Sequence, residues 1–147
     1  MVEVRGCAFP NALLYDVPNL LWYQPDGDGT VRVGLTPVAT ALSGTMLGFT
    51  PKRPGRDFEK DRSFATIESG KWVGPARAAF DGVVVAFNEA LMERPNIANA
   101  DAYGAGWMLV VKPSQADWRG GLVTGAAIAP AFEAWMQAEG FKGCGLA

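Results

Sequence analysis

The chain has 147 residues, 49% hydrophobic and 19% charged, with a net charge of −2. That length suits one domain, residues 1–147, able to bury a core without a metal or obligatory disulfide, and the composition argues against global disorder. The charge balance gives no electrostatic footprint for nucleic acid, and the absence of histidine removes imidazole-built metal sites and any His-assisted nucleophile.

Met1 to Gly6 carries Glu3 and Arg5 and no hydrophobic stretch, so no secretory signal is expected. No apolar run is long enough to span a bilayer, and the cytoplasm is the default location. Cys7 and Cys144 sit near opposite ends of the chain. In a reducing compartment two such cysteines are expected as free thiols, Cys7 a small semi-buried side chain and Cys144 part of a flexible tail.

Phe9 to Tyr15 reads as an irregular or short helical lead-in and Leu20 to Gln24 as a strand. Pro25-Asp26-Gly27-Asp28-Gly29 is a turn signal. Thr30 to Leu35 alternates, with Val31, Val33 and Leu35 on one face. Thr36-Pro37 predicts an N-cap with proline at the first helical position, and a helix running to Leu42 before Gly44. Thr45 to Thr50 is a second strand, and Pro51 to Arg62 is polar loop in which basic and acidic residues interleave. Ser63 to Ser69 and Trp72 to Ala78 read as strands on either side of Gly70-Lys71. A glycine with positive φ at the first central position gives a type II′ hairpin turn, with Lys71 at its apex.

Val83 to Phe87 follows as an apolar strand after the Asp81-Gly82 turn. Asn88 can cap a short helix to Met92, Asn96 to Gly106 is loop, and Trp107 to Val111 is the last apolar strand. Pro130 to Glu139 predicts a terminal helix, which Ile128 could extend, closed by Gly140. Trp107, Trp135 and Phe87 are expected in the core.

The chemistry concentrates in Glu68-Ser69-Gly70-Lys71-Trp72. On pattern alone this is also an ordinary hairpin with a solvated lysine. However, Glu68-Ser69-Gly70-Lys71 resembles the lipoyl-lysine turn of lipoyl domains, in particular the glycine cleavage H protein. Gly55 and Gly82 bracket Lys71 as turn glycines do in that family. Asp28 to Thr36, Asn88 to Leu91, Asp101 to Trp107 and the Trp135 helix resemble further H-protein signatures.

The resemblance covers roughly Tyr15 to Glu139. It implies a mainly β fold, the lipoyl-domain flattened barrel (barrel-sandwich hybrid), with short helices, a core over about 15–125 and a C-terminal helix over about 130–139. It also implies lipoate as a covalent amide on Lys71, with Glu68, Ser69, Gly70 and Trp72 serving the turn and recognition by a ligase or partner. No metal or catalytic residue is expected, and the chain would be a carrier serving partner enzymes rather than an enzyme.

H proteins have His-Glu-Trp before the first turn and small residues after the lysine. This chain has Leu20-Leu21-Trp22 and Trp72-Val73-Gly74-Pro75. The latter run, and the Arg5-Gly6-Cys7-Ala8-Phe9-Pro10 start, resemble the lipoate-binding proteins of the sulfur-oxidising, heterodisulfide reductase-like pathway. That resemblance implies lipoate-attachment enzymes and a heterodisulfide reductase-like complex, or other sulfur-transfer enzymes, as partners. The alternative is aminomethyl carriage, with glycine decarboxylase, aminomethyltransferase and dihydrolipoamide dehydrogenase. A biotin carrier is disfavoured because biotinyl turns flank the lysine with methionines, where this chain has Gly70 and Trp72.

Overall fold

A computed structural model describes residues 1–145. The frequent Gly and Pro punctuation produces short strands, all paired antiparallel. In chain order the elements are β1 (Val2–Val4), β2 (Cys7–Phe9), β3 (Leu14–Asp16), β4 (Leu21–Pro25), β5 (Val31–Leu35), α1 (Pro37–Ser43), β6 (Met46–Pro51), β7 (Asp57–Phe58), β8 (Ser63–Ser69), β9 (Val73–Arg77), β10 (Gly82–Phe87), α2 (Glu89–Glu93), α3 (Ile97–Ala100), β11 (Leu109–Pro113) and α4 (Ile128–Glu139). Two short 3-10 turns lie between β11 and α4.

The strands form a six-stranded sheet in the order β3-β4-β5-β11-β10-β7, a three-stranded sheet β6-β8-β9, and the separate hairpin β1-β2. This is the expected mainly β architecture with a C-terminal helix, although the six-stranded sheet ends at β3 and β7 and does not close into a barrel.

Local chemistry explains the elements that position the site. The turn between β4 and β5 is tied by Asp26 N–H to Thr30 O at 2.8 Å, and the Asp28 carboxylate accepts from the Thr30 N–H and hydroxyl. Thr36 caps α1 by accepting from Ala39 N–H, with Pro37 at the start and Gly44 at the end, where φ is +80°. Alternation along β5 buries Val31, Val33 and Leu35.

Two hydrophobic clusters share β4 between them. Leu21 and Tyr23 belong to the larger one, which joins the six-stranded and three-stranded sheets. Trp22 belongs to the other, built from β1, β2, β3, α1 and α4 around Phe9, Tyr15 and Phe132. Trp22 is fully buried, donates its indole N–H to Ala102 O at 3.0 Å, and lies flat on Gly34. A β-carbon at Gly34 would fall 2.5 Å from the Trp22 ring.

Several expectations are corrected. Of the two readings of the Phe9–Tyr15 lead-in the irregular one holds over residues 10–13, while residues 2–9 form an unexpected hairpin and Leu14–Asp16 joins the large sheet. Arg5 and Gly6 both have positive φ, 49° and 78°, the requirement of a two-residue type I′ turn, and Arg-Gly is an unusual pair to meet it. The 51–62 loop contains β7, paired with β10, and the 96–106 loop contains the single turn α3. Asn88 begins α2 without a side-chain cap, because its amide donates instead to Ala105 O and Trp107 O. Phe87, Trp107 and Trp135 are half-buried at the margins of the clusters rather than within them.

The cysteines are neither free nor loose. Cys7 and Cys144 form a disulfide across 137 residues, with Cα atoms 5.0 Å apart. Cys7 is fully buried, and Cys144 N–H donates to Arg5 O at 3.0 Å. Arg5 completes the junction by pairing with Glu133 of α4 and donating to Phe141 O. The tail turns back at Gly140, whose αL conformation reverses the chain after α4. Sequence separation hides this contact, since nothing local marks two ends that meet in space.

Candidate functional site: the Lys71 hairpin and its cleft

Strands β8 and β9 pair in register from Ser63↔Arg77 to Glu68↔Val73, with one irregularity near Ala65, and bring Ser69-Gly70-Lys71-Trp72 to the tip. The turn differs from the expected one. Gly70 is not in the left-handed region, and a β-carbon there would meet nothing within 4 Å. The Ser69 side chain organises the tip instead. Its Oγ accepts from Lys71 N–H at 3.2 Å and Trp72 N–H at 3.1 Å, while Ser69 N–H donates to Trp72 O at 2.7 Å. Ser69 is buried, so it builds the turn from below, a serine–backbone motif that replaces the glycine-dependent one.

Lys71 is exposed and, among the described residues, makes neither an ion pair nor a side-chain hydrogen bond. Its Cε lies over the end of α1, 3.8 Å from where a β-carbon on Gly44 would sit. Glu68 is exposed beside it. Trp72 is 45% exposed, with its ring laid on Gly74, where a β-carbon would fall 2.3 Å from the indole. Any larger residue at 74 would displace Trp72. Val73, Leu47 and Leu42 are also exposed, and Leu42 lines the same cleft as Lys71 and Trp72. Exposed apolar surface around one polar group is the pattern of a contact site.

Beneath the tip runs a cleft of about 530 Å³, between α1, the start of β4 and the β8–β9 hairpin. Leu21, Leu35, Met46 and Ile67 form its floor, Trp72 and Pro75 one wall, and Lys71 and Arg77 its charged positions. Asn19 lines it from the other side and donates its amide to buried Asp16 at 2.8 Å. Burial raises the Asp16 carboxyl above the ordinary aspartate value, and the Asn19 hydrogen bonds act against that rise. Tyr23, fully buried, accepts from Ala79 N–H at 3.2 Å and fixes the chain just beyond β9; burial pushes its phenol well up.

The five residues expected at the site, Glu68, Ser69, Gly70, Lys71 and Trp72, therefore stand together on one tip. Sequence reasoning missed the turn-building role of Ser69 and the cleft-lining residues Arg77, Asn19 and Leu42. Only the Leu20-Leu21 departure signalled the cleft, because both residues line it. No group of three or more His, Cys, Asp or Glu able to hold a metal occurs among the described residues. No helix among them is long and apolar enough to cross a membrane.

An amine exposed at a hairpin tip, unpaired among the described residues, can be offered to the active site of another protein. Comparison with known proteins places the chain in a lineage. The glycine cleavage H-protein family matches residues 13–134. Glycine cleavage system H protein 5 of Aquifex aeolicus is 46% identical over 117 residues, covering 78% of this chain and 79% of that protein. A probable glycine cleavage system H protein 2 of Saccharolobus solfataricus is 36% identical over 129 residues, covering 86% and 87%. The crystal structure of a glycine cleavage system H protein from Mycobacterium marinum matches with a TM-score of 0.73 at 28% identity, covering 90% of this chain and all of that one. The chain belongs to the glycine cleavage H-protein family. Members of that family are lipoyl carriers, not catalysts, and hold lipoate covalently on a lysine.

Proposed function

We propose that Lys71 bears lipoate as an amide on Nζ, and that the chain is a swinging-arm carrier for partner enzymes. One observation carries this reading: Lys71 stands alone, exposed and unpaired, on the tip of a hairpin in a lipoyl-carrier fold. The residues present fit the group. The tip lets a ligase enclose the amine, and the apolar cleft alongside offers cover for a hydrocarbon arm. When bound, the dithiolane would supply a disulfide that a nucleophile opens, so that one sulfur takes up a group and the other leaves as a thiol. Ser69 fixes where the lysine points, Glu68 and Trp72 flank it for recognition by ligase or partner, and the partners provide the reactions. Intact-mass measurement on native protein tests this. A lipoyl adduct lost in Lys71→Ala is the expected result, and uniformly unmodified protein from lipoate-replete cells would overturn it.

For the cargo we infer sulfur intermediates, exchanged between cytoplasmic enzymes of a heterodisulfide reductase-like sulfur oxidation system. Support comes from Trp72-Val73-Gly74-Pro75, which forms the tip flank and cleft wall, and from Leu20-Leu21 where H proteins have His-Glu. A second reading, carriage of the aminomethyl group for glycine decarboxylase, aminomethyltransferase and dihydrolipoamide dehydrogenase, is favoured by the names of the relatives. Glycine turnover with those enzymes decides between them. The sulfur reading expects the lipoylated chain to support little, and robust turnover would replace it with the second.

A further inference from the structure

The cleft beside Lys71 has a one-sided charge. Among the described residues no carboxylate lines it, and the charged lining residues, Lys71 and Arg77, are both cationic. Acylation removes the Lys71 charge and leaves that of Arg77. One Arg77 N–H donates to Asp61 O at 3.2 Å, which ties the guanidinium to the neighbouring turn and leaves donors spare. No carboxylate lies within ion-pair distance of Arg77 among the described residues. Other charged groups near the cleft include Glu68, exposed beside Lys71, and Asp16, Lys60 and Asp61. Of these, Asp16 is buried behind Asn19 and hydrogen-bonded to it, while Lys60 and Asp61 are adjacent and opposite in sign.

We propose that Arg77 makes this cleft a receptor for an anionic end group on the loaded arm, of the class S-sulfonate. This deepens the sulfur-carrier reading and rests on lipoylation of Lys71. Arg77 is itself exposed, and its guanidinium matches the fork of oxygens on a sulfonate. An ammonium end group has no carboxylate in the lining to pair with and meets a like charge. Leu20 and Leu21 line the cleft and bring no charge to it.

The test uses the full chain lipoylated at Lys71, with sulfite and cysteamine as probes. Sulfite attacks one sulfur of the oxidised dithiolane. The ring S–S bond breaks, a bond to the sulfite sulfur forms, and the electron pair leaves on the other sulfur as a thiolate that takes a proton from water. Cysteamine opens the ring in the same way and leaves an ammonium-tipped mixed disulfide. Intact mass and free-thiol titration give both equilibrium constants.

Arg77→Gln is expected to lower the sulfite constant roughly three- to tenfold, with Arg77→Lys in between, and to leave the cysteamine constant unchanged or higher. Leu42→Glu adds a carboxylate at an exposed position of the lining and is expected to move the two constants in opposite directions. A sulfite constant within about twofold of wild type in Arg77→Gln, or equal losses with both probes, would overturn the proposal. Protein that shows no lipoyl mass before any probe is added defeats the carrier reading itself, a result distinct from an unselective cleft.

Discussion

At the Lys71 end, three strands from the continuous stretch 46–77 present the lysine, and the turn is made by one serine reaching two residues ahead. At the other end, residues 2–9 meet α4 and the tail through an aromatic stack, an ion pair and a disulfide spanning 137 residues. The first region is local in sequence and exposed in function, while the second is remote in sequence and concerned with holding the chain ends. The contrast teaches that presentation and closure rest on different residues, so each can be damaged while the other is retained.

The largest expected effect lies in the closure. Phe132 stacks on Phe9 with ring centroids 4.1 Å apart and meets Tyr15 edge-on at 5.6 Å, fully buried. Phe132→Ala is expected to cost about 3–5 kcal/mol in chemical denaturation while the folded fraction still accepts lipoate. Loss of acceptance by that fraction would show that the two ends are coupled.

Reduction of Cys7–Cys144, or Cys144→Ser, comes next. Freeing so long a loop in the unfolded chain is expected to cost roughly 2–5 kcal/mol, read as a lower Tm, again with lipoylation intact. No change in Tm would remove the bond from the account of closure.

Ser69→Ala tests presentation. Two backbone N–H groups lose their acceptor, so a cost of about 1 kcal/mol is expected, with a severalfold slower lipoylation time course. An unchanged rate would mean that the ligase reads the tip without help from the serine. Lys71→Ala should be the smallest in stability, within about 0.5 kcal/mol, because the side chain is exposed and unpaired, yet it should remove the lipoyl mass entirely.

Much of the presenting half could be read from sequence because its signals are local. Ser63 to Ser69 matches β8 in full, and the Thr36 cap and the Asp26–Thr30 turn arise from residues within a few positions of one another. The closing half was legible only where its signals are local, as in α4 and its Gly140 terminus. Arg5-Gly6 adopts a turn that its composition does not advertise, and the partners of Cys7, Asn88 and Trp22 lie 17 or more positions away. The cleft sits between these cases. Leu20 and Leu21 announced a departure, but that they share a lining with Arg77 emerges only when β4 is packed beside β9. The expected positive φ at Gly70 failed because a buried serine supplied the same reversal by a different route.

The bond between Cys7 and Cys144 also changes what a cut in the backbone does. The 51–62 segment is largely exposed and carries Lys52, Arg53, Arg56, Lys60 and Arg62. A protease that cleaves there once opens a ring instead of severing a chain, since both pieces stay joined through the sulfurs. Such a nicked molecule runs near full mass without reductant and separates into two fragments only when thiol is added. Damage to the connecting loop would thus leave Lys71 covalently tethered to both ends of the protein.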